Sequence, residues 1–386
     1  MERTTSTHAA DLALAAVGKD GVAEMQTYGM RARTNCEYGA EACSPCVKGL
    51  ISTFRADEGG LDIARQDARV RFVGYEVGES VIRHHIQGIA RLADLVHKDG
   101  RRTGRIVLTD NLSPRGLSYA ERTFMTEEDT LFSGGTYTIV RALDLRRDFK
   151  HPGGAQAHGN TMVVAMAGEH TRTGAYFVRF PPHGRPKVIH RLFIDGARGE
   201  PRLSRRNRWD SSSAAFIQLR SGRFLLAVAG GNHGADGIWF YASLDSEIGR
   251  STEWKFLGAW STCQDASDGL DISRCFAGAS GMALLADCSG EIYLVAMHGT
   301  SQSRDEYQWV QVFSVHERAN QRIGLRLRSW QRDYTGKLQR NNPAFRWAGT
   351  ASVTSKPKAL ALLNSVRDPT TNACRAVCSN VYWSKH

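Results

Sequence analysis

Apolar and polar residues alternate along most of this chain, and the pattern recurs in five units between about residue 85 and the C-terminus. Each unit has a stretch of small residues, a short turn, a run of apolar residues, and then a stretch that alternates. The equivalent positions, at steps of 66, 60, 67 and 68 residues, are Gly88, Gly154, Ala214, Gly281 and Gly349. Alternation with a period of two is typical of β-strands, so the repeat predicts a chain built from a series of small sheets.

A complete unit is predicted to contain four strands. The first strand is rich in small residues, which permit close approach of backbones at a crowded axis. The second is an unbroken apolar run, as expected for a strand that is buried on both faces. The third alternates and the fourth is more polar. In the fourth unit these two strands are expected over Tyr307–Phe313 and Gly324–Trp330. The first strands are expected near 86–92, 153–158, 213–219, 280–286 and 348–354.

The fifth unit has no fourth strand, because the chain stops shortly after its third. Residues 69–77 alternate and precede the first unit, so they either complete the last sheet or form an edge strand beside the first. The first alternative predicts an all-β fold: a five-bladed β-propeller over residues 69–386, closed by an N-terminal strand. Residues 1–68 are then an N-terminal arm, which is expected to be partly disordered and to be tied by a disulfide.

In this organisation residues 69–386 resemble five-bladed β-propellers, a group with glycoside hydrolases of the arabinanase and levansucrase type, calcium-dependent nucleotidases, and tachylectin-type lectins. The hydrolases carry carboxylates on the inner strands of separate blades. Here His85, His151 and Arg346 stand at such places, and only Asp210 and Asp271 are acidic. That departure argues against a simple transfer of a glycosidase mechanism. The five repeats are also too divergent for the equal sites of such lectins.

The starts of the first strands and the ends of the second strands are expected to meet around the mouth of an axial channel. The residues there that are suited to acid–base chemistry are His85, His151, His170, His233, His298, Glu169 and Asp210. The polar or aromatic residues suited to holding a substrate are Gln87, Asp110, Gln156, Asn232, Arg346, Trp347 and Asn364. Neutral imidazoles also bind transition metals, and the candidate ligands are His85, His151, His233 and His298. Alternatively, these polar residues only cap strand ends and line a water-filled channel.

A second candidate metal site is the loop with carboxylates at Asp265, Asp268 and Asp271, a spacing found in loops that bind calcium. The closing glutamate of an EF-hand is absent. The alternative is a loop tied by the cysteines on either side of it.

The eight cysteines lie mostly in loop-like sequence, which favours disulfides and an oxidising compartment. The predicted bridges join Cys263 to Cys275 and Cys374 to Cys378, or run from one of these to an arm cysteine. Free thiols and a metal site at Cys43-x-x-Cys46 are the alternatives, and Cys288 is expected to be an ordinary buried residue. Secretion or a periplasmic location is expected; no signal peptide is recognisable, so a cytoplasmic location stays open.

The net charge is +11, with arginines spread over several segments. No recognition helix, zinc-finger spacing or paired aromatic RNA motif accompanies them, so nucleic acid is not the expected partner. Two functions remain. One is an enzyme, possible hydrolase or lyase, with a single site for a small organic or sugar-like substrate. The other is a non-catalytic binding or scaffold propeller that recognises a protein, glycan or polyanion. A monomer without a membrane span is expected.

Overall fold

The architecture is nearly all-β, with curled sheets. The computed structural model describes residues 30–34, 46–54, 68–73, 86–110, 116–124, 135–145, 151–167, 173–194, 211–230, 237–260, 279–302, 305–318, 323–337, 344–353, 360–365 and 378–384. Within those residues the only helix is the single turn α1 (Leu50–Thr53). None of the helical structure in this part of the chain has the length and apolar character needed to cross a membrane.

After β1 (Ala68–Val73), the strands follow one another as antiparallel meanders. The first meander comprises β2 (Ile86–Val96), β3 (Arg102–Asp110), β4 (Gly116–Phe124) and β5 (Gly135–Asp144). The second comprises β6 (His151–His158), β7 (Thr161–Ala167), β8 (Thr173–Arg179) and β9 (Lys187–Ile194). The third comprises β10 (Ser211–Gln218), β11 (Phe224–Gly230), β12 (Gly237–Ser243) and β13 (Trp254–Trp260). The fourth comprises β14 (Gly281–Ala286), β15 (Ile292–Gln302), β16 (Asp305–Glu317) and β17 (Ile323–Lys337). The last comprises β18 (Ala344–Val353), β19 (Leu360–Ser365) and β20 (Cys378–Ser384).

These bounds confirm the strands predicted from the alternation of apolar and polar residues. Every residue of β7 and of β11 is buried, as an unbroken apolar run requires. The outer strand β9 alternates instead between buried and exposed positions. The largest difference is in the fourth meander. Its last two strands were predicted to end at 313 and 330, but they continue to Glu317 and Lys337.

The first strands of the meanders contact one another in a cycle: β2 with β6, β6 with β10, β10 with β14, β14 with β18, and β18 with β2. Apolar side chains fill the spaces between successive meanders. One such core joins Leu92 and Val107 to Met162 and Tyr176, and another joins Phe177 to Trp239. A cyclic contact pattern of this kind is consistent with a β-propeller.

The N-terminal strand β1 lies between the last meander and the first. It pairs antiparallel with β20, where Ala68 lies opposite Val381, and parallel with β5, where Val70 lies opposite Gly135. The last and first meanders therefore share one eight-stranded sheet through β1.

Two segments of the N-terminal arm cross the turns β10–β11 and β14–β15. The Ala32 amide donates to Gly290 O at 2.8 Å, and the Arg220 amide donates to Arg31 O at 2.9 Å. Further along, Leu50 and Phe54 are buried in the core that joins β14 and β15 to β18 and β19. The arm thus supplies backbone hydrogen bonds and apolar surface to the fourth meander.

A disulfide joins this arm to the same meander: Cys46 is bonded to Cys288, 242 residues later. The expectation that Cys288 is an ordinary buried residue is therefore wrong. Cys288 lies in an exposed turn. The arm passes directly beside that turn, as the pairing of Val47 with Asp287 shows. The Cys263–Cys275 and Cys374–Cys378 bridges involve side chains outside the described residues and stay predictions.

A buried arginine links the first two meanders. Arg105, on β3, is 1% exposed and donates to Ala93 O, to the side-chain oxygen of Asn160 and, at 3.5 Å, to Phe180 O. Its guanidinium also lies beside the hydroxyl of Tyr119, which donates to Glu121. Carbonyl oxygens and a nearby carboxylate thus compensate the buried charge.

Candidate functional site

One end of the cycle of first strands, called the mouth below, collects the starts of those strands and the ends of the second strands. The register shows this directly. The opposed pairs are Ile86 and Asp110, His151 and Ala167, Ser211 and Gly230, Gly281 and Met297, and Gly349 and Asn364.

The first strands are irregular at this end. Register shifts interrupt the pairing between Ile86 and Gly88 in β2, between Pro152 and Ala155 in β6, between Ser211 and Ser213 in β10, and between Ala344 and Gly349 in β18. Bulges re-aim side chains and are common next to active sites. No comparable shift occurs in the pairs between the second and third strands β7–β8, β11–β12 and β15–β16.

Small residues close the axis below the mouth. A side chain at Gly88 would overlap Gly153 O, one at Gly281 would overlap Gly349 O, and a Cβ at Gly154 would lie 2.6 Å from Ser280 O. Each of these positions therefore requires glycine. The expected axial channel is packed shut at this level, so a ligand at the mouth would rest on this floor.

Gln156 lies below that floor, is fully buried, and connects three first strands. Its amide nitrogen donates to Leu284 O at 2.9 Å, and its amide oxygen accepts from the Phe216 and Leu284 amides at 3.0 and 3.1 Å. The side chain thus holds β6 against β10 and β14. Its predicted role in substrate binding stays a prediction, with only one N–H not used by these three bonds.

His151 begins β6 at the mouth and is partly exposed, but its Nδ1 atom is buried and has no hydrogen-bond partner among the described residues. Burial lowers the pKa of this imidazole below its usual value, so the ring is neutral at pH 7. A neutral imidazole both donates and accepts, which suits it to proton transfer.

On the other side of the mouth, His298 is buried between a serine and an aromatic ring. Its Nδ1 lies 3.0 Å from Ser280 Oγ. The ring stacks on that of Trp309, with 5.8 Å between centroids and 9° between planes. These contacts fix the orientation of the imidazole.

Three residues at this end escaped the sequence analysis: Ser213, Ser280 and Trp309. Ser213 is fully buried, points at Gly154, and its hydroxyl has no partner within the described part of the chain. The repeat itself could have identified the two serines, because Ser213 and Ser280 stand immediately before the repeat positions Ala214 and Gly281. The repeat shows only that these positions are small, although a serine also supplies a hydroxyl.

The structure brings His151, His298, Gln87 and the backbone of Asp110 to the mouth. For five of the predicted residues the structure describes only the backbone: Asp110, Arg346, Trp347, Asn364 and Cys378. Other predicted residues lie outside the described residues: His85, His170, His233, Glu169, Asp210, Asn232, Cys263, Cys275, Cys374, Asp265, Asp268 and Asp271. The convergence of five histidines in one pocket therefore stays a prediction. Among side chains that are described, no three that bind metals come together.

No family model and no curated relative matches this chain. Solved structures with a similar course of the backbone include the GH93 alpha-L-arabinofuranosidase of Fusarium graminearum with arabinobiose, at 8% identity and a TM-score of 0.45, covering 82% of this chain and 97% of that one. The catalytic domain of the Coprinopsis cinerea GH62 alpha-L-arabinofuranosidase has 12% identity, a TM-score of 0.42, and coverage of 83% and 98%. An exo-1,5-alpha-L-arabinanase from a bovine ruminal metagenomic library has 10% identity, a TM-score of 0.42, and coverage of 80% and 99%. Identities this low do not align individual site residues.

Proposed function

We propose that residues 69–386 form one five-bladed β-propeller, with β1 as the outer strand of its fifth blade. The pairing of β1 with β20 and the contact between β18 and β2 support this arrangement. Closure would leave neither the first nor the last blade with an unpaired edge at their junction. The arm before β1, held by Cys46, is then an addition to the ring rather than part of it.

The mouth of this ring is proposed to be a single site for a small polar molecule, a sugar or a similar polyol, on which the protein acts as an enzyme. The observation that carries the proposal is the buried Nδ1 of His151, which has no partner among the described residues and lies at the start of a bulged strand. Buried polar atoms are normally satisfied, and an exception calls for an explanation such as a ligand. The hydroxyl of Ser213 on the floor is a second such atom.

Acid–base chemistry is the reaction type that these groups suit. Neutral His151 would take a proton from a hydroxyl of the bound molecule, while a carboxyl group in its protonated form would give one to the leaving group. The proposed carboxylates are Asp110, which ends β3, and Asp210 and Glu169, which in sequence adjoin the mouth ends of β10 and β7. Ser280 holds the ring of His298, so His298 is proposed to orient the ligand.

The test compares His151→Ala with a matched histidine far from the mouth. His183 is exposed in the β8–β9 turn, at the opposite end of the ring, so His183→Ala is the control. Binding of mono- and disaccharides is measured by calorimetry, and turnover by product analysis of the same sugars. We expect His151→Ala to weaken binding at least about tenfold and to abolish turnover, with a melting temperature within a few degrees of the parent. Equal behaviour of the two variants contradicts the proposal.

An oxidising compartment, outside the cell or in the periplasm, is proposed from the Cys46–Cys288 bond. Peptide mapping without reductant should recover Cys46 and Cys288 as one linked pair. Cys288→Ser should lower the free energy of unfolding by about 3 kcal/mol, since the bond closes a long loop. Ser289→Ala, in the same exposed turn, is the control. Recovery of both cysteines as free thiols from protein kept under its native redox conditions would contradict this proposal.

A further inference from the structure

The fourth meander rises above the mouth. In the other meanders the second strand ends opposite the start of the first, as β7 does at Ala167 and β11 at Gly230. Strand β15 instead passes Met297, which lies opposite Gly281, and continues to Gln302. Strands β16 and β17 accompany it, since Asp305 pairs with both Gln302 and Lys337. Residues 299–302, 305–308 and 331–337 are called the extension below.

The extension is tall enough to matter for a ligand. Four residues of β15 follow His298, and at about 3.3 Å per residue they rise about 13 Å above it. That is more than the length of a single sugar ring. A ligand confined to the floor of the mouth would not use this surface, whereas a chain of sugar units leaving the mouth would pass along it.

One face of the extension is continuous with the mouth. His298 lies opposite Trp309, which lies opposite Arg332; two residues further up, Thr300 lies opposite Tyr307, which lies opposite Tyr334. Directly opposed residues share a face, and so do residues two apart on one strand. The aromatic positions 307, 309 and 334 therefore share the face of His298, whose ring already stacks on Trp309.

Lower down, the same face is covered by the third meander. Ala296 and Phe313, each an even number of residues from His298 and Trp309, pack in one core with Phe240 and Trp260. The described strands of the third meander end at Gly230 and Trp260, and none of them accompanies the extension upward. The face with positions 307, 309 and 334 thus continues beyond the described strands that cover its lower part.

The chemistry of the extension favours a neutral carbohydrate. Aromatic rings present a negative face, which attracts the polarised C–H groups on the face of a sugar ring. A polyanion would require an excess of basic residues. From 299 to 308 and from 331 to 337 the chain has three acids (Asp305, Glu306 and Asp333) and three bases (Arg304, Arg332 and Lys337). The segment is electrically balanced, although the whole chain carries +11.

We propose that the extension binds successive units of an uncharged oligosaccharide whose end occupies the mouth. This inference rests on the proposed sugar site and adds to it that the ligand is a chain. Positions 307, 309 and 334 supply stacking surfaces along its path, and Trp309 marks the passage from the mouth to the extension.

The experiment measures affinity against chain length. Xylo-, arabino- and manno-oligosaccharides of two to six units are titrated into the full chain, the double variant Tyr307→Thr/Tyr334→Thr, and His151→Ala. Threonine retains the preference for a strand while removing the ring. Glu306→Thr is the control, because it changes the neighbouring position in β16 and leaves both tyrosines in place. Melting temperatures are compared throughout, and oligothymidine is included as a polyanion with stackable bases.

For the parent protein we expect affinity to rise with length. The double variant should bind the longest oligosaccharides about tenfold more weakly and the two-unit sugars unchanged, while His151→Ala weakens every length. Unaltered length dependence in the double variant overturns the inference, as does an equal loss for two-unit sugars, or binding of oligothymidine alone. If the double variant behaves as expected but His151→Ala changes nothing, the extension stands and the proposed role of His151 at the mouth fails.

Discussion

Two fully buried serines show how differently the two ends of the ring are built. Ser243, at the end of β12 away from the mouth, accepts a hydrogen bond from the Phe224 amide at 2.8 Å and donates to Asp245 O at 2.6 Å. Ser213, at the mouth, has an equally buried hydroxyl and no partner in the described structure. The same side chain thus makes two hydrogen bonds at one end and none to the described residues at the other.

The contrast extends beyond the serines. Away from the mouth, the arm adds backbone hydrogen bonds to two turns, a disulfide fixes it there, and Arg105 joins two meanders through carbonyl oxygens. At the mouth, His151 begins a bulged strand and has a buried nitrogen without a partner in the part of the chain that the structure describes. The disulfide and the Arg105 network thus lie away from the mouth, although in the described part of the chain that end also has a buried polar atom without a partner, the Nε2 of His158.

The largest effect is expected from removing the Arg105 guanidinium. Arg105→Met would leave the carbonyl oxygen of Ala93 and the Asn160 side chain without their donor, and Glu121 without a nearby positive charge. Breaking a buried charged network in this way costs about 4 kcal/mol of unfolding free energy. Urea denaturation at pH 7 measures it.

The matched control for Arg105 is Arg101→Met. Arg101 precedes the same strand and pairs with Asp99 at 2.6 Å, with about half of each side chain exposed. An exposed pair of this kind contributes little, so the change should stay within about 0.5 kcal/mol. Equal effects of the two substitutions would mean that the end of the ring opposite the mouth does not depend on Arg105.

A smaller, pH-dependent effect is expected from His158, the last residue of β6 at the end of the ring opposite the mouth. It is buried against Phe216, with ring centroids 5.1 Å apart, and burial lowers its pKa from 6.5 to about 4. The unfolded chain takes up this proton near pH 6.5 and the folded chain only near pH 4. Stability is therefore fully present above pH 6.5 and falls on acidification, by about 2 kcal/mol between pH 8 and pH 5.

His158→Gln should remove that part of the acid sensitivity. Urea denaturation of parent and variant from pH 8 to pH 5 gives the difference between the two slopes. His97→Gln, in the β2–β3 turn at the same end, serves as the control. Parallel slopes for the parent and His158→Gln would show that His158 takes up its proton equally in both states, and hence that it is hydrated in the folded protein.

The sequence was sufficient for the strands because their pattern is local. The strands expected near 153–158 and 280–286 are observed as His151–His158 and Gly281–Ala286, which is agreement to within two residues. It was insufficient for the Cys46–Cys288 bond, since no local pattern relates an arm residue to a turn 242 residues later. The continuation of β17 to Lys337 was also not predicted, because the sequence past Trp330 is polar and carries no apolar run that predicts a strand.

At the mouth, the repeat located the right end of each strand but not the role of each residue. Gln156 carries an amide, a group that often binds ligands. In the structure this amide instead makes hydrogen bonds to the backbones of β10 and β14, and only the packing of the strands around the axis shows this. Conversely, Ser213 is one of the small residues of the first strands, and its sequence pattern indicates only that the position is crowded. Whether a polar group has a partner depends on strands from other units of the repeat, and a single sequence does not record those contacts.

The smallest effect, and the sharpest test of the contrast between the ends, comes from the two serines themselves. Ser243→Ala removes a hydroxyl that makes two hydrogen bonds and leaves the Phe224 amide unsatisfied, which should cost about 1 to 2 kcal/mol. Ser213→Ala removes a buried hydroxyl that has no partner among the described residues, so the unfolding free energy should be unchanged or rise by up to about 1 kcal/mol. A loss of stability in Ser213→Ala as large as that in Ser243→Ala would mean that ordered water satisfies this hydroxyl and that the floor of the mouth is as fully bonded as the opposite end of the ring.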